Sequence, residues 1–274
     1  MRTDRWTRSS LAAALAPLIS LACGSPHASA ASVTECTALN LCYCVNSDLK
    51  PTIDANVARV RALLAGQRQQ GKAVGYMSIP LSTVGGGYFG VNRELAQKTK
   101  AHIESRFGAG SAFVLNPGAE GNLPGNASGA DYMLMWTRIL EGAGGLGEDF
   151  DFFYFVGPAD IARFFGLTGS GDMERIDAYF DARLASDPDL KKAVADGKVS
   201  RTSFRDYYAL RAAVTFSYGS HDEWNIARLL NERRRGADRY GIGGQLGVFF
   251  EGQAAVPGAY ESPISAGDVG RCIN

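Results

Sequence analysis

Apolar positions along the first half of the chain switch between helical and extended spacing. Residues 51–70 carry apolar side chains every three or four positions, which predicts a helix that ends before Gly71. Residues 73–81 form a continuous apolar run, which is typical of a strand that is covered on both faces. A helix from a cap at Asn92 to residue 107 should follow.

The same alternation continues toward the C-terminus. Residues 112–116, 152–156 and 246–250 predict three further strands. An apolar helix is expected over residues 132–140, where Ser128 or Asp131 would cap its first turn.

Strands separated by helices favour a parallel sheet with helices on both faces. The predicted fold class is therefore α/β, Rossmann-like or flavodoxin-like, with a helical insertion at about residues 160–235 before the last strand. No repeat or linker divides residues 31–274, so we expect a single domain. Ligands of such sheets bind beyond the carboxyl ends of the strands, which places a candidate site at residues 78–87, 116–129 and 157–160.

The first thirty residues have the pattern of a cleavable signal peptide. A basic stretch that starts at Arg2 precedes the apolar run 11–21, and residues 28–30 give the small-x-small cleavage pattern. The apolar run is shorter than the roughly 20 residues that a membrane helix needs, and no later stretch is long and apolar enough either. We therefore expect cleavage after Ala30, no membrane span, and a secreted or periplasmic protein. Lipidation of Cys23 is the alternative.

Four cysteines remain after such cleavage, and an even count in an exported chain indicates two disulfides. They are Cys36, Cys42, Cys44 and Cys272. Cys42 and Cys44 are too close in sequence to pair comfortably, so Cys272 should bond to one of the three N-terminal cysteines. A metal site is the other interpretation of Cys-x-Cys, but it lacks nearby histidines and the usual two-residue gap.

Composition narrows the expected partners. The 28 basic and 28 acidic residues balance to a formal charge of zero, so we expect no general attraction to nucleic acid. The sequence has no phosphate loop, no well-placed dinucleotide-binding glycine motif and no serine-hydrolase elbow. Only His102 and His221 remain after cleavage, which argues against a histidine-rich metal centre. The expected partner is a small-molecule substrate, with no cofactor and no metal.

The densest polar cluster spans residues 217–225 at the predicted start of a helix. Ser220 and Glu223 have the spacing of a capping box, in which Glu223 would turn back to an amide and stay at the surface. Alternatively, Glu223 points into the cleft at the rim of the sheet, while Asp222 interacts with the helix dipole. The pattern alone leaves both interpretations open.

Two further clusters lie next to predicted strands. Tyr76 and Ser78 end the first strand of the sheet, where Tyr76 is either a core residue or a site residue. Asp151 and Asp160 flank the third predicted strand, and Asp160 is either a helix cap or a site residue.

Taken in their order along the chain, the three clusters resemble motifs of the nucleoside 2-deoxyribosyltransferases. Tyr76-Met77-Ser78-Ile79-Pro80 is similar to a Tyr-Leu-Ala-Gly-Pro strand, with isoleucine in place of glycine. Asp151-Phe152-Phe153-Tyr154-Phe155 resembles the family's strand that opens with aspartate. Glu223-Trp224-Asn225-Ile226-Ala227 is similar to a Glu-x-Gly-x-Ala helix start, with asparagine in place of glycine. The family's Asp-x-Gly-Thr has no clean match here.

The resemblance implies chemistry at a glycosidic C–N bond. Glu223 would be the nucleophile or stabiliser of the sugar carbon, and Tyr76 would orient it by a hydrogen bond. Asp151 or Asp160 would hold or protonate the leaving base. The substrate-binding residues would be Ser78, Tyr88, His221, Asp222, Trp224 and Asn225.

Export changes the expected reaction. Outside the cell, water is a more available acceptor than a salvage base, so we expect a nucleoside or NAD glycohydrolase rather than a transferase. The alternative is a non-catalytic exported protein that binds a ligand or another protein through its helical insertion. An enzyme should bring Glu223, Tyr76 and an aspartate together in one cleft, whereas a binding protein need not.

We predict that the exported protein begins at Ala31. Sequencing the N-terminus of protein recovered from the periplasm or the medium measures this. An N-terminus at Met1, or a lipid on Cys23, would contradict it.

Overall fold

The fold is described from a computed structural model, which covers residues 31–83, 85–108, 110–211, 217–237, 244–256 and 270–273. The predicted signal peptide and Cys23 lie outside these residues. No helix in the described ranges is both long enough and apolar enough to cross a membrane.

The secondary structure alternates between strands and helices, as the apolar pattern predicts. In chain order the strands are β1 (Ser32–Cys36), β2 (Cys42–Asn46), β3 (Ala73–Ser78), β4 (Ala112–Leu115), β5 (Phe152–Phe155), β6 (Gly247–Phe250) and β7 (Gln253–Ala254). The helices are α1 (Lys50–Gln69), α2 (Phe89–Phe107), α3 (Pro117–Glu120), α4 (Gly129–Glu141), α5 (Pro158–Phe165), α6 (Asp172–Ser186), α7 (Pro188–Ala195), α8 (Arg201–Asp206) and α9 (Tyr218–Arg235). One π-helical turn, Tyr207–Arg211, follows α8.

Five strands form a mostly parallel sheet in the order β4-β3-β5-β6-β7, and only β7 is antiparallel to its neighbour. The chain passes from β3 to β4 on one side, then returns to β5 on the other side of β3. The carboxyl ends of β3 and β5 therefore lie side by side where the strand order reverses, which is where ligands of open α/β sheets bind. Ser78 pairs with Phe155 at this switch point.

Side chains alternate along β3 and β5, and the two sets enter two separate apolar cores. Tyr76 and Phe153 belong to a first core that also contains residues of α1, α4 and α9. Met77 and Tyr154 belong to a second core with residues of α2 and α5–α8. Helices therefore cover both faces of the sheet, as predicted. Tyr76 and Tyr154 therefore point to opposite faces of the sheet and lie in different cores.

A disulfide-linked hairpin of β1 and β2, which the apolar pattern did not predict, covers the outer side of α4. The backbone amide of Asn46 donates to Asp131 Oδ1 at 2.9 Å, and that of Leu39 to Glu141 Oε2 at 3.0 Å. Between them the Tyr43 hydroxyl lies 2.7 Å from Thr137 Oγ1. Helix α4 is thus enclosed by the sheet and the hairpin, which explains its apolar sequence.

Five helices, α5–α9, lie between β5 and β6 in the described part of the chain, and they divide between the two cores. Helices α5–α8 contribute to the second core, whereas α9 contributes to the first core and contacts α4 and β5. The predicted cap at Asn92 is wrong, because α2 starts one turn earlier, after Tyr88. Asn92 is buried within the helix and accepts a hydrogen bond of 2.6 Å from the Tyr208 hydroxyl.

Two disulfides join the four cysteines. Cys44 bonds to Cys272, which confirms the predicted link between the C-terminal tail and the N-terminal segment. Cys36 bonds to Cys42, its direct partner across the hairpin. Disulfides of this kind persist in oxidising compartments, which agrees with a secreted or periplasmic protein.

The Cys44–Cys272 bond should stabilise the protein more than the Cys36–Cys42 bond. The two bonds join residues 228 and 6 positions apart, and a longer closed loop removes more entropy from the unfolded chain. Replacing Cys44 and Cys272 by serine should cost about 5 kcal/mol, and the same change at Cys36 and Cys42 about 2 kcal/mol. Denaturant unfolding measures both values, and equal losses would contradict the prediction.

Candidate functional site

Tyr76 and Glu223 meet beside the switch point of the sheet. Tyr76 lies two residues before the end of β3, and its ring packs between Trp136 of α4 and Phe153 of β5, with centroid distances of 5.9 and 5.6 Å. Its hydroxyl donates a hydrogen bond of 2.5 Å to Glu223 Oε1 in the second turn of α9. The predicted contact between these two side chains is therefore confirmed.

The alternative of a capping box between Ser220 and Glu223 is wrong. Helix α9 begins one turn earlier, and Ser217 is its N-cap, whose side chain accepts from the Ser220 amide at 3.4 Å. Glu223 consequently lies inside the helix, where only 6% of its surface is exposed. Its carboxylate faces the sheet and not the solvent.

Burial changes the acidity of this carboxylate. Loss of hydration is the main cause that raises the pKa of Glu223 to about 7, and the charge of Asp222 raises it further. The Ser78 and Tyr76 hydroxyls oppose this increase, because they stabilise the ionised form. The pKa of Tyr76 is raised well above its usual value, mainly by burial and then by the charge of Glu223, so Tyr76 remains the donor.

Ser78 and Asp222 complete the surroundings of Glu223. Ser78 is fully buried at the end of β3, on the same face as Tyr76. Its hydroxyl lowers the pKa of Glu223, although Ser78 Oγ forms no hydrogen bond of regular geometry with any described residue. Asp222 is also fully buried, so two carboxylates share this interior region.

A pair of aromatic rings, Phe155 and Trp224, lies near Ser78 and Glu223. The indole of Trp224 packs edge-on against Phe155, the last residue of β5, with ring centroids 4.8 Å apart. Trp224 Nε1 is inaccessible to solvent and has no hydrogen-bond acceptor among the described residues. Because Phe155 pairs with Ser78 across the strands, the indole of Trp224 lies near the carboxyl ends of both β3 and β5.

Asp151 lies at the amino ends of the parallel strands, whereas Glu223 lies near their carboxyl ends. It immediately precedes β5, and its carboxylate accepts from the Val74 amide at 2.7 Å and pairs with Arg68 at 2.9 Å. It therefore joins the amino ends of two parallel strands, and the expectation that it shares a pocket with Glu223 is wrong.

Asp160 lies on the other face of the sheet. It caps α5 by accepting from the Gly157 amide at 3.3 Å, and it binds the Tyr154 hydroxyl at 2.9 Å and Arg163 at 2.7 Å. Tyr154 belongs to the second core, whereas Tyr76 and Glu223 meet in the first. The capping interpretation of Asp160 is confirmed, and its placement beside Glu223 is wrong.

Of the other predicted substrate-binding residues, two lie in α9 near Glu223 and one packs against the second core. Asn225 is buried in α9 two positions after Glu223, and His221 is half-buried in the first turn of α9. Tyr88 instead packs against the second core, and its hydroxyl donates to Asp187 at 3.0 Å. Tyr88 therefore lies apart from the Glu223 site.

One residue role was missed in the sequence. Asp222 is expected there only to bind substrate or favour the helix dipole, yet it acts on Glu223 through its charge. Two adjacent acidic residues, Asp222 and Glu223, at the predicted start of a helix were the available signal.

An open cavity of about 410 Å³ lies elsewhere, between α1 and α4. Arg61, Arg138 and Glu141 are among its lining residues, and Arg138 is already paired with Glu35 and Asp54. The part of the chain that the structure describes contains no group of three or more His, Cys, Asp or Glu side chains that could hold a metal ion.

The raised pKa of Glu223 should make stability depend on pH. The folded protein holds the Glu223 proton up to about pH 7, whereas the unfolded chain releases it near the usual 4.5. The free energy of unfolding should therefore fall as the pH rises through this window, by up to about 3 kcal/mol. Glu223→Gln should remove this slope. Urea unfolding of both proteins from pH 4 to 8 measures it, and parallel curves would contradict the prediction.

Comparison of the chain with models of protein families, with curated proteins and with solved structures gives no match.

Proposed function

We propose that this protein is an exported enzyme that cleaves N-glycosidic bonds, with Glu223 as its catalytic carboxylate. One observation carries the proposal: a buried glutamate is held by a buried tyrosine hydroxyl at the switch point of a parallel sheet. An ionised or partly ionised carboxylate without a basic partner is costly in such a place, and pairs of this kind concentrate at functional sites.

The chemistry follows from the surroundings of Glu223. As the C–N bond of a nucleoside breaks, positive charge develops on the sugar carbon, and the carboxylate attacks or stabilises that carbon. Tyr76 fixes the direction of the carboxylate through its hydrogen bond of 2.5 Å. With a pKa of about 7, Glu223 exists in both protonation states near neutral pH. It can therefore also exchange a proton with the attacking water.

The resemblance to nucleoside 2-deoxyribosyltransferases is part of this proposal. The contact between the tyrosine of the first motif and the glutamate of the last supports it. The strand order of the parallel part, 2-1-3-4 when counted from β3, supports a flavodoxin-like arrangement, with α5–α8 as a helical insertion. Two disulfides support export, and export favours water as the acceptor.

A second candidate is a non-catalytic protein that binds its ligand at the same rim. The positions of Asp151 and Asp160 favour it, because neither aspartate joins Glu223 in one cleft. In that case the Tyr76–Glu223 contact would anchor a ligand without chemistry.

Replacing Glu223 should separate the two candidates. Glu223→Gln keeps the size of the side chain and removes its charge, so base release should fall about a thousandfold or more while the protein stays folded. Chromatography of free base released from nucleosides and from the oxidised nicotinamide dinucleotide measures this rate.

The matched control is Glu141→Gln, which changes a buried glutamate at the end of α4, where it holds the hairpin. This variant should keep the wild-type rate. If the wild-type protein releases base from none of these compounds, the enzymatic proposal fails and the binding protein is the better description.

A further inference from the structure

Strand β4 is an outermost strand of the five-stranded sheet. It pairs with β3 on one side, and no strand among the described residues pairs with its other side. An open strand edge presents unpaired backbone N–H and C=O groups, to which a strand of another molecule can bind. The way in which β4 satisfies these groups therefore bears on whether two copies of the protein associate.

Two side chains of α2 occupy the outer edge of β4. The Val114 amide donates to Glu104 Oε1 at 2.9 Å, and Lys100 Nζ donates to the Val114 carbonyl at 2.8 Å. Lys100 and Glu104 also form an ion pair with each other. Both backbone groups of Val114 are thus bound as a neighbouring strand would bind them.

Lys100 reaches around the edge from one face of the sheet to the other. Val114 belongs to the second core, on the face that α2 covers, whereas Phe113 packs against the first core. Lys100 Nζ lies 4.3 Å from the centroid of the Phe113 ring, and the cation and the ring attract each other. Lys100 and Glu104 together form what we term the edge strap of β4.

The order of the two charges fits the strand better than the helix. In an isolated helix, a glutamate four residues before a lysine is the more favourable order, and Glu94 and Lys98 of α2 follow it. Lys100 and Glu104 have the reverse order. This reverse order places the carboxylate at the N–H and the ammonium at the C=O of Val114. The pair therefore suits the edge of β4 more than it suits α2 alone.

We propose that the edge strap keeps β4 from pairing with β4 of a second copy of this chain, so that the sheet does not continue from one molecule into the next. The strap binds the hydrogen-bonding groups that such pairing needs. An added strand would also remove water from its two charges, which costs free energy. Because the strap contains no residue of the Glu223 site, the proposed function does not depend on it.

Lys100→Ala/Glu104→Ala removes the strap. Alanine favours helices and both side chains reach solvent, so α2 should stay intact, which circular dichroism checks. In sedimentation over a range of protein concentrations, the double variant should associate with a dissociation constant at least about tenfold below that of the wild type, since Val114 regains two free backbone groups. A folded variant that associates no more than the wild type overturns the inference.

The matched control is Lys192→Ala/Asp196→Ala. Lys192 lies in α7 and Asp196 is the C-cap of that helix, and they form a surface ion pair with the same order and spacing as the strap. This variant should associate no more than the wild type. If it associates as strongly as the strap variant, the loss of a surface ion pair explains the effect, and the inference fails.

Hydrogen exchange locates the association at β4. In dilute protein, Glu104→Ala removes the acceptor of the Val114 amide, which should exchange at least about tenfold faster than in the wild type. NMR measures this rate even if the double variant does not fold, and an unchanged rate overturns the inference. In the double variant, the same amide should exchange more slowly as the protein concentration rises, because a second strand then binds it. Association without this slowing occurs elsewhere on the molecule and also overturns the inference.

Discussion

The hydrogen bond between Tyr76 and Glu223 is the contact on which the interpretation of this protein depends. A carboxylate loses most of its hydration when it is buried, and it is tolerated there only if donors replace the water. The Tyr76 hydroxyl supplies one donor at 2.5 Å, and the Ser78 hydroxyl also lowers the pKa of Glu223. These two groups only partly offset the burial, so the pKa of Glu223 stays raised, at about 7. The carboxylate is thus held in place, while a small change of pH near neutrality changes its protonation state.

The rest of the fold fixes the two ends of that hydrogen bond. Tyr76 is set by β3, and its ring is confined by Trp136 and Phe153. Helix α4, which carries Trp136, is in turn held by the disulfide hairpin through its two terminal acids. Glu223 is set by α9, which packs on α4 and β5. The hairpin, far from the rim in sequence, therefore contributes to the geometry of the site through one helix.

The sequence was informative where periodicity or chemistry is local. The spacing of apolar residues predicted α1 and the strands of the sheet, and the pairing of Cys272 followed from an even cysteine count. The short β1–β2 hairpin was missed because its pattern contains polar residues and three cysteines. Asp151 was misplaced for a geometrical reason. It precedes β5, whose four residues span about 13 Å, so it lies at the amino end of the strand and the candidate site lies at the carboxyl end. Which helix face Glu223 occupies also depends on where α9 begins, and sequence alone allowed a start that was one turn too late.

The buried acids differ in what holds them, and this difference separates structural carboxylates from the candidate site. Asp131, Glu141 and Asp160 each accept a hydrogen bond from a backbone amide, of Asn46, Leu39 and Gly157 respectively. Such donors are fixed parts of the framework, so these acids join elements of the fold. The hydrogen bond that the structure gives Glu223 comes from a side-chain hydroxyl. A hydroxyl of this kind can turn toward a ligand, whereas a backbone amide in a strand or helix cannot. Among the described residues, Glu223 therefore differs from the other three acids in that no backbone amide ties its carboxylate to the framework.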